Sequence, residues 1–109
     1  MGSDTSTNKE KRSKELKYIV FWDFHPEDMD KVIKKTVNML QEAKKNPGKY
    51  PEYIFPSHSI GGQTKGFTVV EATPEQTVNG ILYWHPELKL KYMPIYETAK
   101  ITEQYMKSK

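Results

Sequence analysis

Five consecutive residues, Tyr18-Ile19-Val20-Phe21-Trp22, are all β-branched or aromatic. The run is too short for a good helix and is made of residue types that favour extended chain, so it reads as a β-strand. A strand with one face in water alternates between apolar and polar side chains. This one does not alternate: Tyr18, Val20 and Trp22 point to one side, Ile19 and Phe21 to the other. Both faces of the strand must be covered, and this requirement narrows the folds open to the chain.

The elements that follow supply one cover. His25-Pro26-Glu27-Asp28 opens a helix, with proline in the first turn and acids that complement the dipole. Met29, Ile33, Thr36, Leu40 and Ala43 recur at helical spacing, Val32 and Val37 widen the stripe, and Asn46-Pro47-Gly48 ends it. Tyr53 to Ile60 is a second strand. Pro56 cannot donate to a ladder, which makes this strand an edge or a bulged one. Gly61-Gly62-Gln63-Thr64 turns the chain into a third strand, Lys65 to Ala72. Thr73-Pro74-Glu75-Gln76 is a helix start with a capping-box pattern, and Val78, Ile81 and Leu82 are its expected buried stripe. That helix ends near Trp84, because Pro86 disfavours a helical His85. Lys89 to Tyr96 is the fourth strand. Residues 98–107 form a short terminal helix with Ile101 and Tyr105 as its anchors.

The order strand, helix, strand, strand, helix, strand predicts an α+β class: a ferredoxin-like βαββαβ antiparallel sheet with two helices on one face. The other face is left bare. A second copy, sheet against sheet, is the simplest cover, so the expected assembly is a homodimer of the dimeric α/β barrel type. The domain occupies residues 16–97. Residues 1–15 have no aliphatic side chain after Met1 and read as a disordered tail, and residues 98–109 read as a helical extension.

Composition excludes several function classes. The 109 residues contain no cysteine, which removes disulfides, thiolate metal ligands and a thiol nucleophile, and fits a cytoplasmic location. No apolar run approaches the roughly 20 residues needed to span a bilayer, and the N-terminus has no signal-peptide core. The formal charge is +3, yet residues 16–109 carry 13 lysines, 11 acids and no arginine; Arg12 is the only one. Nucleic-acid readers rely on arginine for bidentate contacts, so nucleic acid is not the expected partner. Lys65-Gly66-Phe67-Thr68-Val69-Val70-Glu71-Ala72 overlaps an RNA-recognition signature, but Val69 stands where a stacking aromatic belongs.

The chain also resembles a small, functionally uncharacterised microbial family of the dimeric alpha-beta barrel superfamily, over roughly residues 17–96. The likeness rests on Phe24-His25-Pro26-Glu27 after an aromatic strand. It rests further on His58-Ser59-Ile60-Gly61-Gly62 followed by Gly66-Phe67-Thr68-Val69-Val70-Glu71, and on Trp84, Leu88 and Met93-Pro94-Ile95. The chain departs from that pattern in a longer connection around Lys44 to Tyr53 and in a tail at each end. The resemblance implies a fold and a dimer. Members of the wider superfamily include cofactor-free monooxygenases, haem enzymes, stress-response proteins and lactone isomerases, among which fold does not choose.

The candidate chemistry is short. His58, Glu71 and Asp23 are the candidate bases, with local hydrogen bonding at strand ends as the plainer role for the two acids. The resemblance lifts His58 and Glu71 above Asp23. Trp22, Trp84, Tyr92 and Tyr96 are the candidate ligand-binding rings, with core packing as their plainer role. No cofactor is implied. His25, His58 and His85 have no metal-ligand spacing, so no metal site is expected. The leading functional expectation is a homodimer that binds a small apolar or aromatic molecule between its sheets. The alternatives are a cofactor-independent monooxygenase-like or isomerase-like enzyme, and an RNA-binding or protein-interaction module.

Overall fold

The computed structural model describes residues 15–109. The expected tail at residues 1–15 therefore lies outside the described residues, apart from Glu15. The elements are β1 (Leu16–Asp23), a 3-10 turn (Pro26–Asp28), α1 (Met29–Lys45), β2 (Glu52–Ser59), β3 (Lys65–Ala72), α2 (Pro74–Trp84), β4 (Lys89–Pro94) and α3 (Thr98–Lys107). The four strands form one antiparallel sheet in the order β2-β3-β1-β4. The α+β class stands. Among the described residues, no helix is long and apolar enough to cross a membrane.

The unalternating strand β1 is central, with β3 on one side and β4 on the other. β2 is an edge strand, as Pro56 requires. Its register against β3 slips between Tyr53 and Phe55 and again between Phe55 and His58. β3 alternates cleanly: Gly66, Thr68, Val70 and Ala72 are buried, while Phe67, Val69 and Glu71 are half-buried and Lys65 is exposed. The buried side faces α1 and α2, where Val20, Phe24, Val32 and Met39 complete the core. Among the described residues, no element packs on the other side. Its central patch is Ile19, Phe21, Phe67 and Val69, in register across β1 and β3.

α2 starts as expected. Thr73 Oγ1 accepts from the Gln76 amide at 3.2 Å, and Gln76 Oε1 accepts from the Thr73 amide at 2.9 Å. Its buried side is different from the expected stripe. Val78, Ile81 and Leu82 are 53%, 41% and 66% exposed, and Gly80 is the buried residue. A Cβ at Gly80 would stand 3.1 Å from the Tyr92 hydroxyl and 3.3 Å from Pro51. The helix therefore approaches the sheet along the one position that has no side chain. α1 shows a similar offset: Val32 and Met39 are buried, while Ile33, Val37 and Leu40 are more than half exposed.

A second glycine sets the floor beneath the helices. Gly66 on β3 is directly opposite Trp22 on β1. A Cβ there would collide with the Trp22 ring and the His58 carbonyl. The bare backbone lets the indole lie across β3, where Trp22 Nε1 donates to Ser57 Oγ on β2 at 2.7 Å. The same ring stacks on Phe24, centroids 6.0 Å apart. Gly66→Ala is expected to lower stability by about 1–3 kcal/mol, the usual cost of overpacking. Urea denaturation followed by tryptophan fluorescence measures this, and the native emission maximum should shift red as Trp22 leaves Ser57.

Candidate ligand cavity

Between the sheet and the two helices lies a cavity of about 630 Å³. Its floor is built from alternate residues of three strands: Val20 and Trp22, Thr68 and Val70, Leu90 and Tyr92. Its roof comes from Val32 and Met39 of α1 and from Gly80 and Trp84 of α2. Ile33 and Leu40, both more than half exposed, stand at its mouth.

The helices are held over this space by polar ties at their ends. Tyr83 Oη donates to the Lys35 carbonyl at 2.6 Å. Lys35 Nζ in turn reaches Glu87 Oε1 at 2.7 Å and the His85 carbonyl at 2.9 Å, linking α1 to the segment after α2. At the other end, Gln76 Nε2 donates to the Gly48 carbonyl at 3.0 Å and Asn79 Nδ2 to the Lys49 carbonyl at 2.9 Å. The helices are thus fixed by their rims, and the space beneath them is not filled.

Among the described residues, the wall contains no aspartate, glutamate, lysine, arginine or histidine. Its polar groups are few and several are already engaged. Trp22 Nε1 and Ser57 Oγ satisfy each other, and Thr68 Oγ1 donates to the Phe55 carbonyl at 2.6 Å. The titratable groups of the wall are two phenols. Burial raises Tyr53, with a hydrogen bond from Trp84 pulling the other way. Burial pushes Tyr92 up to about 12, with Tyr53 and Tyr18 adding to the rise. Both hydroxyls are protonated at neutral pH and serve as hydrogen-bond donors.

The structure brings three of the four expected rings together. Trp22, Trp84 and Tyr92 share the cavity wall. Tyr96 lies beyond β4, is 64% exposed and has no part in the wall. Trp22 and Tyr92 face the helices and not the bare side of the sheet, and Trp84 comes to them from α2. The reason is strand parity: Trp22 and Tyr92 sit on the rows that carry Val20 and Leu90, whereas Ile19, Phe21 and Met93 occupy the alternate rows.

The candidate bases lie on the opposite side. His58 is in register with Phe67, stacks on Phe55 at 4.7 Å and 12°, and shares a hydrogen bond with the Pro56 carbonyl at 2.7 Å. Glu71 is in register with Lys17 and Glu52. It is four residues along β3 from Phe67, roughly 13 Å at the rise of an extended strand, so His58 and Glu71 form no acid–base pair. Asp23 lies between Lys65 and Lys89. His25 and His85 are exposed at helix ends. Among the described residues, no three acids or histidines gather where a metal would be held.

Tyr53, Ser57 and Gly80 belong to the site but were not singled out from the sequence. Tyr53 and Ser57 share the helix side, and the two register slips between them send Phe55 to the other side; an edge strand with a proline gives only a general signal of that. Gly80, an isolated glycine inside a helical pattern, was a readable signal of close approach.

Compared with protein-family models, with curated proteins and with solved structures, the chain matches none.

Lys35 holds the Glu87 carboxyl below its ordinary value of 4.5. A lowered acid contributes stability that is present at neutral pH and is lost as pH falls through the folded-state value. Glu87→Gln should therefore lower the urea midpoint at pH 7. Its gap from the wild type should close as the pH is taken down through the lowered Glu87 value, below 4.5. A gap that persists unchanged in acid would show that the ion pair is not its source.

Proposed function

We propose that the protein binds a small, neutral, largely apolar ring compound in the cavity between its sheet and its helices, and that it does so as a homodimer of ferredoxin-like protomers. The cavity carries the first part of this proposal. Its volume falls within the range of small-molecule sites, and its wall offers aromatic rings and a few donors without a charged group. A charged ligand would be desolvated there with no partner, at a cost of several kcal/mol.

A binding role is favoured over an enzymatic one by the position of the acids and bases. His58, Glu71 and Asp23 are all on the far side of the sheet, and the two phenols of the wall are held protonated. No group in the cavity is poised to take a proton near neutral pH. An RNA-binding role is disfavoured by the absence of arginine from residues 16–109.

The two-copy part is supported by the bare face. Ile19, Phe21, Phe67 and Val69 form an apolar centre, and on β1 and β3 four charges sit at its corners: Lys17 beside Glu71 at one end, Asp23 beside Lys65 at the other, with Lys89 and Lys91 outside them on β4. Signs alternate around the square. Turning a second copy over about an axis along the strands sets Lys17 on the partner's Glu71 and Asp23 on the partner's Lys65. Turning it about an axis across the strands sets Lys17 on the partner's Asp23 and Lys65 on the partner's Glu71. In either case these four meet opposite charges, which supports a second copy of the same face as the partner. The ferredoxin-like assignment of the protomer is supported by the element order and by the strand order β2-β3-β1-β4.

Both tryptophans of the chain are in the cavity wall, so their emission is a direct probe. Titration with the neutral dye N-phenyl-1-naphthylamine should quench them saturably and enhance the dye. A carboxylated naphthalene of similar size should bind at least about ten-fold more weakly. Gly80→Leu, which drives a side chain into the Tyr92 hydroxyl, should weaken dye binding. Equal affinity for the charged analogue, or no saturable change, would count against the proposal.

A further inference from the structure

Among the described residues, nothing covers helix α3. Every residue of Thr98–Lys107 is exposed, and its apolar side chains Ile101, Tyr105 and Met106 are 57%, 58% and 63% exposed. An isolated helix of this length is marginal in water, so a packing partner has to hold it. Its starting point shows where that partner is. The Ile95 amide still bonds to the Lys17 carbonyl at the end of the sheet. Two residues later, Glu97 reaches Lys17 Nζ at 3.9 Å. Lys17 is on the bare face, in the row of Ile19 and Phe21. The chain therefore leaves β4 toward the bare side, where the second copy sits in the two-copy reading on which this inference rests.

The same sheet has one edge that needs a cover. β2 is exposed along its whole length, with Ile54 and Phe55 each more than two-fifths exposed. An open apolar edge of this kind is a liability in an isolated protomer. Of the two axes that the corner charges permit, the one along the strands lays β4 of one copy over β2 of the other. It also brings the C-terminal end of β4 level with the N-terminal end of β2, because both lie at the Lys17–Glu71 end of the sheet.

We infer that α3 is an intermolecular clasp: it packs its Ile101–Tyr105 side on the N-terminal half of the partner's β2, around the partner's Ile54, and the two-fold axis of the dimer runs along the strands. The unused helix and the uncovered edge are then halves of one contact, made twice in a closed pair.

The chain has no cysteine, so an engineered pair reports without background. The variant Ile54→Cys/Ile101→Cys, under mild oxidation, should give a covalent dimer on a non-reducing gel. Each single variant should remain largely monomeric on the same gel. In the full chain, Ile101→Glu/Tyr105→Glu should raise the dimer dissociation constant about ten-fold or more by light scattering, with unchanged dye binding in the cavity. A non-covalent dimer whose double-cysteine variant does not cross-link, or whose affinity is unmoved by the two glutamates, overturns the clasp and leaves the dimer standing. Cross-linking of Ile101→Cys alone overturns it too, in favour of α3 pairing with α3. A wild-type chain that is monomeric at high micromolar concentration overturns the dimer and the clasp together.

Discussion

The structure depends on a strand that is apolar on both sides. β1 lies in the middle of the sheet, bonded to β3 and β4, and neither row of its side chains suits water. Val20 and Trp22 are covered by helices of the same chain. Among the described residues nothing covers Ile19 and Phe21, and Phe67 and Val69 continue their patch onto β3. Burying apolar surface is worth roughly 25 cal/mol per Å², so a patch of this kind is a standing drive toward association. The alternating corner charges give that drive a direction, because they favour a second copy of the same face.

The covered side has its own unusual feature. Helices normally settle onto a sheet until side chains fill the space between. Here the contacts that set the helix positions are at the rims: Lys35 with Glu87, Tyr83 with the α1 backbone, and Gln76 and Asn79 with the connection before β2. Large rings stand between the layers, and glycines permit the two close approaches, Gly66 under Trp22 and Gly80 beside Tyr92. The result is a roofed space lined by aromatic and aliphatic groups. Aromatic walls with protonated phenols and no charge suit binding of a neutral ring better than acid–base chemistry.

Much of the fold was legible in the sequence. The run Tyr18 to Trp22 marked the central strand, Pro56 marked the edge, and the capping box at Thr73 marked a helix start to the residue. These signals are local, and local backbone chemistry decides them. The inward faces of the helices were not legible. Val78, Ile81 and Leu82 form an apolar stripe in α2, yet the helix buries Gly80, because contact with Tyr92 and Pro51 outweighs the burial of an aliphatic row. The same limit applies to the site. Trp22, Trp84 and Tyr92 could be named as rings with polar tips, but only strand parity and the seating of α2 decide that they meet in one wall together with Tyr53 and Ser57. His58 and Glu71 lie on neighbouring strands, and only the register shows that they are far apart.

The claim on which the account turns is that the bare sheet face is buried by a second copy. Sedimentation equilibrium of the wild-type chain over the micromolar range, alongside Phe67→Glu, tests it most directly. The account predicts a single dimeric species for the wild type and a shift to monomer when a charge is placed in the centre of the patch. A wild-type chain that sediments as a monomer throughout, or a Phe67→Glu chain that remains as dimeric as the wild type, would contradict it.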